Sequence, residues 1–88
     1  MREYHKKNKD AIPPEFICPL TMMLFTEPVI TEDGQTYERS AIEIWFREHQ
    51  TSPLTNAFLR SKNLIANFAL KKLIADYIEQ HKRDDEGI

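Results

Sequence analysis

The sequence predicts a small α+β domain, and three observations predict it. An Asp33-Gly34 turn joins two short β-favouring runs, an apolar stripe at helical spacing surrounds Trp45, and a second stripe runs from Leu70 to Ile78. The chain has 88 residues, which is room for one domain. A chain of this size buries roughly 60–65% of its unfolded surface, so its core is modest.

Residues 1–10 are charged and hold no apolar run, so residues 1–11 read as a flexible linker rather than a signal peptide. Order begins at Ile12-Pro13-Pro14, where two prolines stiffen the chain and forbid a helix across them. A dense apolar stretch follows from Phe16 to Phe25. Pro19 interrupts it, so it reads as an irregular loop whose side chains go to a core or a binding face. Pro28-Val29-Ile30-Thr31 is a short strand, Glu32-Asp33-Gly34-Gln35 its turn, and Thr36-Tyr37-Glu38 the return strand.

Ser40 stands three residues before Glu43, the capping-box spacing, and opens a helix to about His49. Ile42, Trp45, Phe46 and His49 share one face of it. Residues 50–56 form a polar loop broken by Pro53 and Leu54, and Leu59, Leu64 and Ile65 add apolar anchors. Asn67 caps a last helix whose stripe is Leu70, Leu73, Ile74, Tyr77 and Ile78. Tyr37, Ile42, Leu70, Leu73 and Ile74 are assigned to the core. The ordered domain is set at residues 12–80, with a flexible tail over 81–88, and no internal repeat is evident.

Composition excludes several function classes. A net charge of −2 offers no basic field for nucleic acid or acidic lipid. No apolar run approaches the roughly 20 residues that span a bilayer. One cysteine excludes an internal disulfide and fits a reducing compartment, so a cytoplasmic setting is expected, with the nucleus, or a host cytosol for a pathogen effector, left open. Cys18, His5, His49 and His81 lack the paired spacing of a zinc site, so neither metal nor other cofactor is expected.

Catalysis by the chain's own side chains is unsupported. Cys18 sits among apolar residues with no cation to lower its pKa and reads as a packing thiol. His49 suits a helix C-terminus, and Glu38 with Arg39 reads as a structural salt bridge. No catalytic residue is assigned.

Several modest signals align in order. Phe16-Ile17-Cys18-Pro19-Leu20 precedes Glu27-Pro28-Val29-Ile30. Gly34-Gln35-Thr36-Tyr37-Glu38-Arg39, Ile42 and Trp45 follow, then Ser52-Pro53-Leu54-Thr55, and last Leu64-Ile65-Ala66-Asn67-Phe68-Ala69-Leu70-Lys71. At these spacings residues 12–80 resemble the U-box family of ubiquitin ligases. The resemblance implies a RING-like fold with two long loops held by hydrogen bonds and salt bridges instead of zinc. Glu27, Glu38, Arg39, Ser52, Thr55 and Asn67 are the candidates for those bonds.

It also implies a groove that docks a ubiquitin-conjugating enzyme, formed by Leu20 and Met22 of the first loop, Trp45 of the central helix, and Pro53 and Asn56 of the second loop. Leu20 and Met22 are expected to be exposed. Many relatives carry arginine at the position of Asn56, where it contacts the conjugating enzyme and its thioester-linked ubiquitin. Asn56 lacks that charge and reach. Ala66 stands where the family usually has proline, which loosens the start of the last helix.

The implied mechanism is a transfer that the domain promotes by positioning, with no covalent intermediate on this chain. The implied partners are a conjugating enzyme, its ubiquitin thioester, and a protein substrate bound by another part of the parent protein. The rival readings are a module that docks the conjugating enzyme without activating it and a self-association domain that pairs through the same apolar face as a homodimer.

Overall fold

A computed structural model describes residues 12–86 of the chain, with side chains through residue 81. The linker expected over residues 1–11, with His5, lies outside the described residues. A single 3-10 turn at Pro14–Phe16 opens the fold. It is followed by β1 (Pro28–Ile30), β2 (Thr36–Glu38), α1 (Arg39–Trp45), β3 (Ile65–Ala66) and α2 (Phe68–Glu86).

The three strands make one antiparallel sheet in the order β2-β1-β3. Val29 sits opposite Tyr37 on one side and Ala66 on the other. The hairpin closes through Gly34 at φ +85°, a left-handed backbone that glycine adopts without strain. Thr31 N–H donates to Gln35 O at 2.9 Å across the turn. β3 comes from the Leu64-Ile65 stretch and covers the edge of β1 that β2 leaves open.

α1 begins two residues earlier than its capping signal places it. Its N-cap is Glu38, no side chain caps it, and Ser40 lies exposed inside the first turn. The Ser40–Glu43 capping box therefore does not form. The start of the helix is fixed by the chain itself, since Arg39 N–H donates to Glu27 O at 3.0 Å. Regular helix stops at Trp45, and residues 46–48 tighten into a turn whose N–H groups reach Ile42, Ile44 and Trp45 carbonyls.

Asn67 caps α2 as its side chain predicts, with Oδ1 accepting from Leu70 N–H at 3.1 Å. The helix runs on through Glu86, past the Gln80 boundary set from the sequence. Its buried line is Leu70, Ile74 and Tyr77. Leu73, assigned to the core, is 56% exposed. It is turned roughly 100° from Ile74, far enough to leave the cluster that Ile74 makes with Cys18 and Phe25.

The core has two parts. Val29, Tyr37, Ile42, Phe46 and Leu59 form one, and Cys18, Phe25 and Ile74 the other. Leu20 packs against both and joins them.

Candidate docking site between two loops

Each of the two long loops is pinched shut by an isolated antiparallel bridge, Ile17 with Leu24 and Thr51 with Phe58. Inside the pinch the two loops share one design. In the first, Cys18 N–H donates to Met23 O (2.9 Å) and Met22 N–H to Cys18 O (2.8 Å). In the second, Ser52 N–H donates to Ala57 O (2.8 Å) and Asn56 N–H to Ser52 O (2.7 Å). Thr21 Oγ1 accepts from Met23 N–H and Thr55 Oγ1 from Ala57 N–H, each at 3.2 Å. Met22 and Asn56 hold left-handed backbones at φ +62° and +66°.

The sequences behind this are Cys18-Pro19-Leu20-Thr21-Met22 and Ser52-Pro53-Leu54-Thr55-Asn56. The expectation of no internal repeat is therefore corrected: a short one exists, and it builds both loops. Its parts have separate physical roles. Proline fixes one φ angle, the threonine hydroxyl accepts a turn N–H, and the left-handed residue reverses the chain.

Neighbouring residues of β2 anchor the two loops. Tyr37 Oη shares a hydrogen bond with Ser52 Oγ (3.0 Å) and accepts from Leu54 N–H (3.1 Å), which ties the second loop. Glu38 N–H donates to Cys18 Sγ (3.3 Å), and Leu20 N–H does the same (3.3 Å). The Glu38 carboxylate accepts from Thr26 N–H (2.8 Å), Thr26 Oγ1–H (2.6 Å) and Glu27 N–H (2.9 Å). Burial pushes this carboxyl's pKa upward, but the bonds from Thr26 and Glu27 outweigh it and hold the group below the ordinary glutamate value.

Asp33, in the hairpin turn, is held in the same way. Burial raises its pKa, and hydrogen bonds from Thr31, Ser52, its own backbone N–H and Thr55 together lower it further. The Thr55 hydroxyl reaches Asp33 Oδ2 at 3.4 Å, which links the turn to the second loop. Glu32 reinforces that link from further along, accepting from Arg60 N–H at 2.6 Å.

Of the six loop-fixing candidates, Glu38, Ser52 and Thr55 make such bonds through their side chains, whereas the Asn67 side chain caps α2 and donates to Thr36 of β2 instead. Glu27 is exposed and serves through its backbone. Arg39 pairs with Glu43 on the helix surface at 3.4 Å, not with Glu38. The Glu38–Arg39 salt bridge is therefore absent, because the Glu38 carboxylate is turned into the first loop. Sequence reasoning missed Thr26, Glu32, Asp33, Gln50 and Lys62. Gln50 Nε2–H donates to Leu59 O (2.8 Å), and Lys62 Nζ–H to Phe46 O (2.6 Å) at the end of α1. No local periodicity marks such distant pairs, since Lys62 stands 16 residues beyond Phe46 in the chain.

The five predicted docking residues divide by environment. Met22 is 74% exposed, and Asn56 is exposed at the equivalent turn of the other loop. Pro53 is half-buried beside Ser52. Trp45 is half-buried against the first core cluster, its Nε1–H donating to Thr51 O at 2.7 Å. His49 stacks on its ring at 3.9 Å between centroids. Leu20, expected to be exposed, is half-buried as the wedge between the core clusters. None of the five lines either of two open clefts. One, of about 450 Å³, runs past Pro19, Gln35, Leu54 and Leu70, and another, of about 210 Å³, past Met23, Thr26, Glu38 and Ser40.

Cys18 is fully buried with its sulfur accepting two N–H groups, the environment of a packing thiol. Among the described residues, no three of His, Cys, Asp and Glu gather into a set able to hold a metal ion. No described helix is long and apolar enough to cross a membrane.

Comparison with known proteins is specific. The profile of the U-box domain matches residues 12–83. U-box domain-containing protein 35 of Arabidopsis thaliana is 48% identical over 65 residues, covering 74% of this chain and 8% of that protein. WD repeat, SAM and U-box domain-containing protein 1 of Homo sapiens is 42% identical over 84 residues, covering 94% of this chain and 18% of that protein. U-box domain-containing protein 12 of Oryza sativa subsp. japonica is 44% identical over 75 residues, 84% of this chain and 12% of that protein. The chain thus spans only a small part of the length of these relatives.

Proposed function

This chain belongs to the U-box family, which is associated with ubiquitin ligase activity, and on that premise we propose that it docks a ubiquitin-conjugating enzyme and promotes ubiquitin transfer to substrate lysines. The observation that carries the reading is the pair of matched turns hung from Tyr37 and Glu38 of β2. They hold a large apolar side chain, Met22, out in solvent on a fixed backbone. A rigid, exposed apolar anchor is what a protein partner's surface engages.

The chemistry belongs to the conjugating enzyme. A substrate lysine amine attacks the thioester carbonyl, the carbon–sulfur bond breaks, and the enzyme's thiolate leaves as the isopeptide forms. This chain contributes no bond to that sequence. Its buried Cys18 cannot take up ubiquitin, and its role is to hold the loaded enzyme in a reactive arrangement. The substrate is recruited by another part of the parent protein, in the cytoplasm or nucleus.

A second reading has one observation in its favour. Asn56, uncharged and short, occupies the left-handed turn of the second loop, so the domain would dock the conjugating enzyme with little activation of its thioester. Discharge of ubiquitin from a preloaded conjugating enzyme to free lysine separates the two. Faster discharge with the domain present supports the ligase. Binding without acceleration supports simple docking, and absence of both overturns the proposal. Leu20→Ala is a poor probe of this face, because it opens the junction of both core clusters. Met22→Glu is a clean one.

A further inference from the structure

The described residues carry three sulfur atoms, on Cys18, Met22 and Met23, and the fold sorts them sharply. Cys18 is 0% exposed, whereas Met22 and Met23 are 74% and 67% exposed at the tip of the first loop. Neither methionine belongs to a core cluster. The Met22 backbone is held in place, its N–H tied to Cys18 O and its φ in the left-handed region. Met23 lines the cleft beside Thr26, Glu38 and Ser40, on the anchored side of the loop.

We propose that Met22 is an oxidation site through which peroxide releases the conjugating enzyme while leaving the fold intact. The inference rests on the docking reading above. The thioether lone pair attacks one peroxide oxygen, the O–O bond breaks, and a sulfoxide forms. Sulfur loses two electrons, and the departing hydroxide takes up a proton as water. The product is a polar, chiral group in place of a flexible apolar one, and methionine sulfoxide reductases reverse it. An apolar partner surface offers a sulfoxide oxygen no donor, so docking should weaken by about tenfold or more. The core contains no thioether among the described residues and its one thiol is shielded, so the same oxidant has nothing there to disrupt.

The test treats the purified protein with hydrogen peroxide and removes the peroxide before the loaded conjugating enzyme is added. Peptide mass spectrometry locates the sulfoxides, circular dichroism follows the fold, and discharge to free lysine reports function. The expected result is sulfoxide at Met22 and Met23, reduced Cys18, an unchanged spectrum and loss of most of the acceleration. Reductases acting on both sulfoxide epimers should restore it. The treated-to-untreated ratio, taken for each variant against itself, should stay near one for Met22→Leu and fall for Met23→Leu as for the wild type. Undiminished discharge by the oxidised protein, loss that the reductases do not reverse, or an equal fall in Met22→Leu overturns the proposal. If the untreated protein itself neither binds nor accelerates, the docking reading fails and this inference falls with it.

Discussion

At φ +62° Met22 holds a backbone that costs an ordinary L side chain about 1–2 kcal/mol, and it holds it with 74% of its surface in water. Nothing in the loop requires methionine there, since the equivalent turn in the second loop uses Asn56, a residue that tolerates this conformation. Two unfavourable choices at one position point to selection for contact rather than stability. Met22→Asn should therefore raise stability by about 0.5–1 kcal/mol in a denaturant melt, from relief of that strain. It should also abolish stimulated discharge. A variant that is more stable and fully active would show that the side chain makes no contact. Asn56 presents the reverse trade. Asn56→Arg should raise the discharge rate by restoring a charged, long-reaching side chain, and lower stability by about 1 kcal/mol through the left-handed backbone. An unchanged rate would mean that this position does not limit transfer.

At the scale of elements, β2 does two jobs. Its register on β1 buries Tyr37 in the core, and the far end of that same side chain holds Ser52 and the Leu54 N–H of the second loop. Tyr37→Phe keeps the ring and removes the anchor. It should cost about 1–3 kcal/mol, since the Leu54 N–H loses its acceptor and the buried Ser52 hydroxyl is left with Asp33 alone. Discharge should fall further than stability accounts for, because the second loop is released while the hairpin stays. Amide hydrogen exchange checks this: Asn56 and Ala57 should lose protection, and Val29 should keep it. The hairpin, the Asn67 cap and the buried line of α2 were legible in the sequence because they depend on residues close together in the chain. The Ser40 cap and the Glu38–Arg39 pair were misread for the opposite reason. Glu38 is claimed by Thr26 and Glu27, a loop away, and local spacing carries no trace of that. The loop repeat was missed because only the proline, leucine and threonine recur, and the recurring backbone shape is carried by different residues, Met22 and Asn56. Of the predicted docking residues, Met22's exposure was legible as surplus apolar surface, whereas Leu20's place as a wedge depended on how two clusters meet.

At the scale of the whole molecule, the charges among the described residues that matter to stability are carboxylates placed between loops rather than ion pairs on the surface. The Arg39–Glu43 pair is exposed and worth a few tenths of a kcal/mol at most. Glu38 is buried and its carboxylate receives three hydrogen bonds, so Glu38→Gln should cost about 2 kcal/mol near neutrality. The pH dependence follows from the direction of the shift. The folded pKa of Glu38 lies below the ordinary 4.5, so between those two values the unfolded chain binds more protons than the folded one. The stabilisation is present in full above 4.5 and is lost as pH falls through the folded value. Asp33 behaves alike, starting from 3.8. Denaturant melts of the wild type and Glu38→Gln should stay a constant distance apart above this window and converge within it. Convergence should be accompanied by early loss of protection at Cys18 and Met23 amides, because Glu38 fixes the first loop and not the hairpin. A gap between the two proteins that persists unchanged below the window would mean that Glu38 stabilises by shape alone, and that the first loop is held by its backbone bridge.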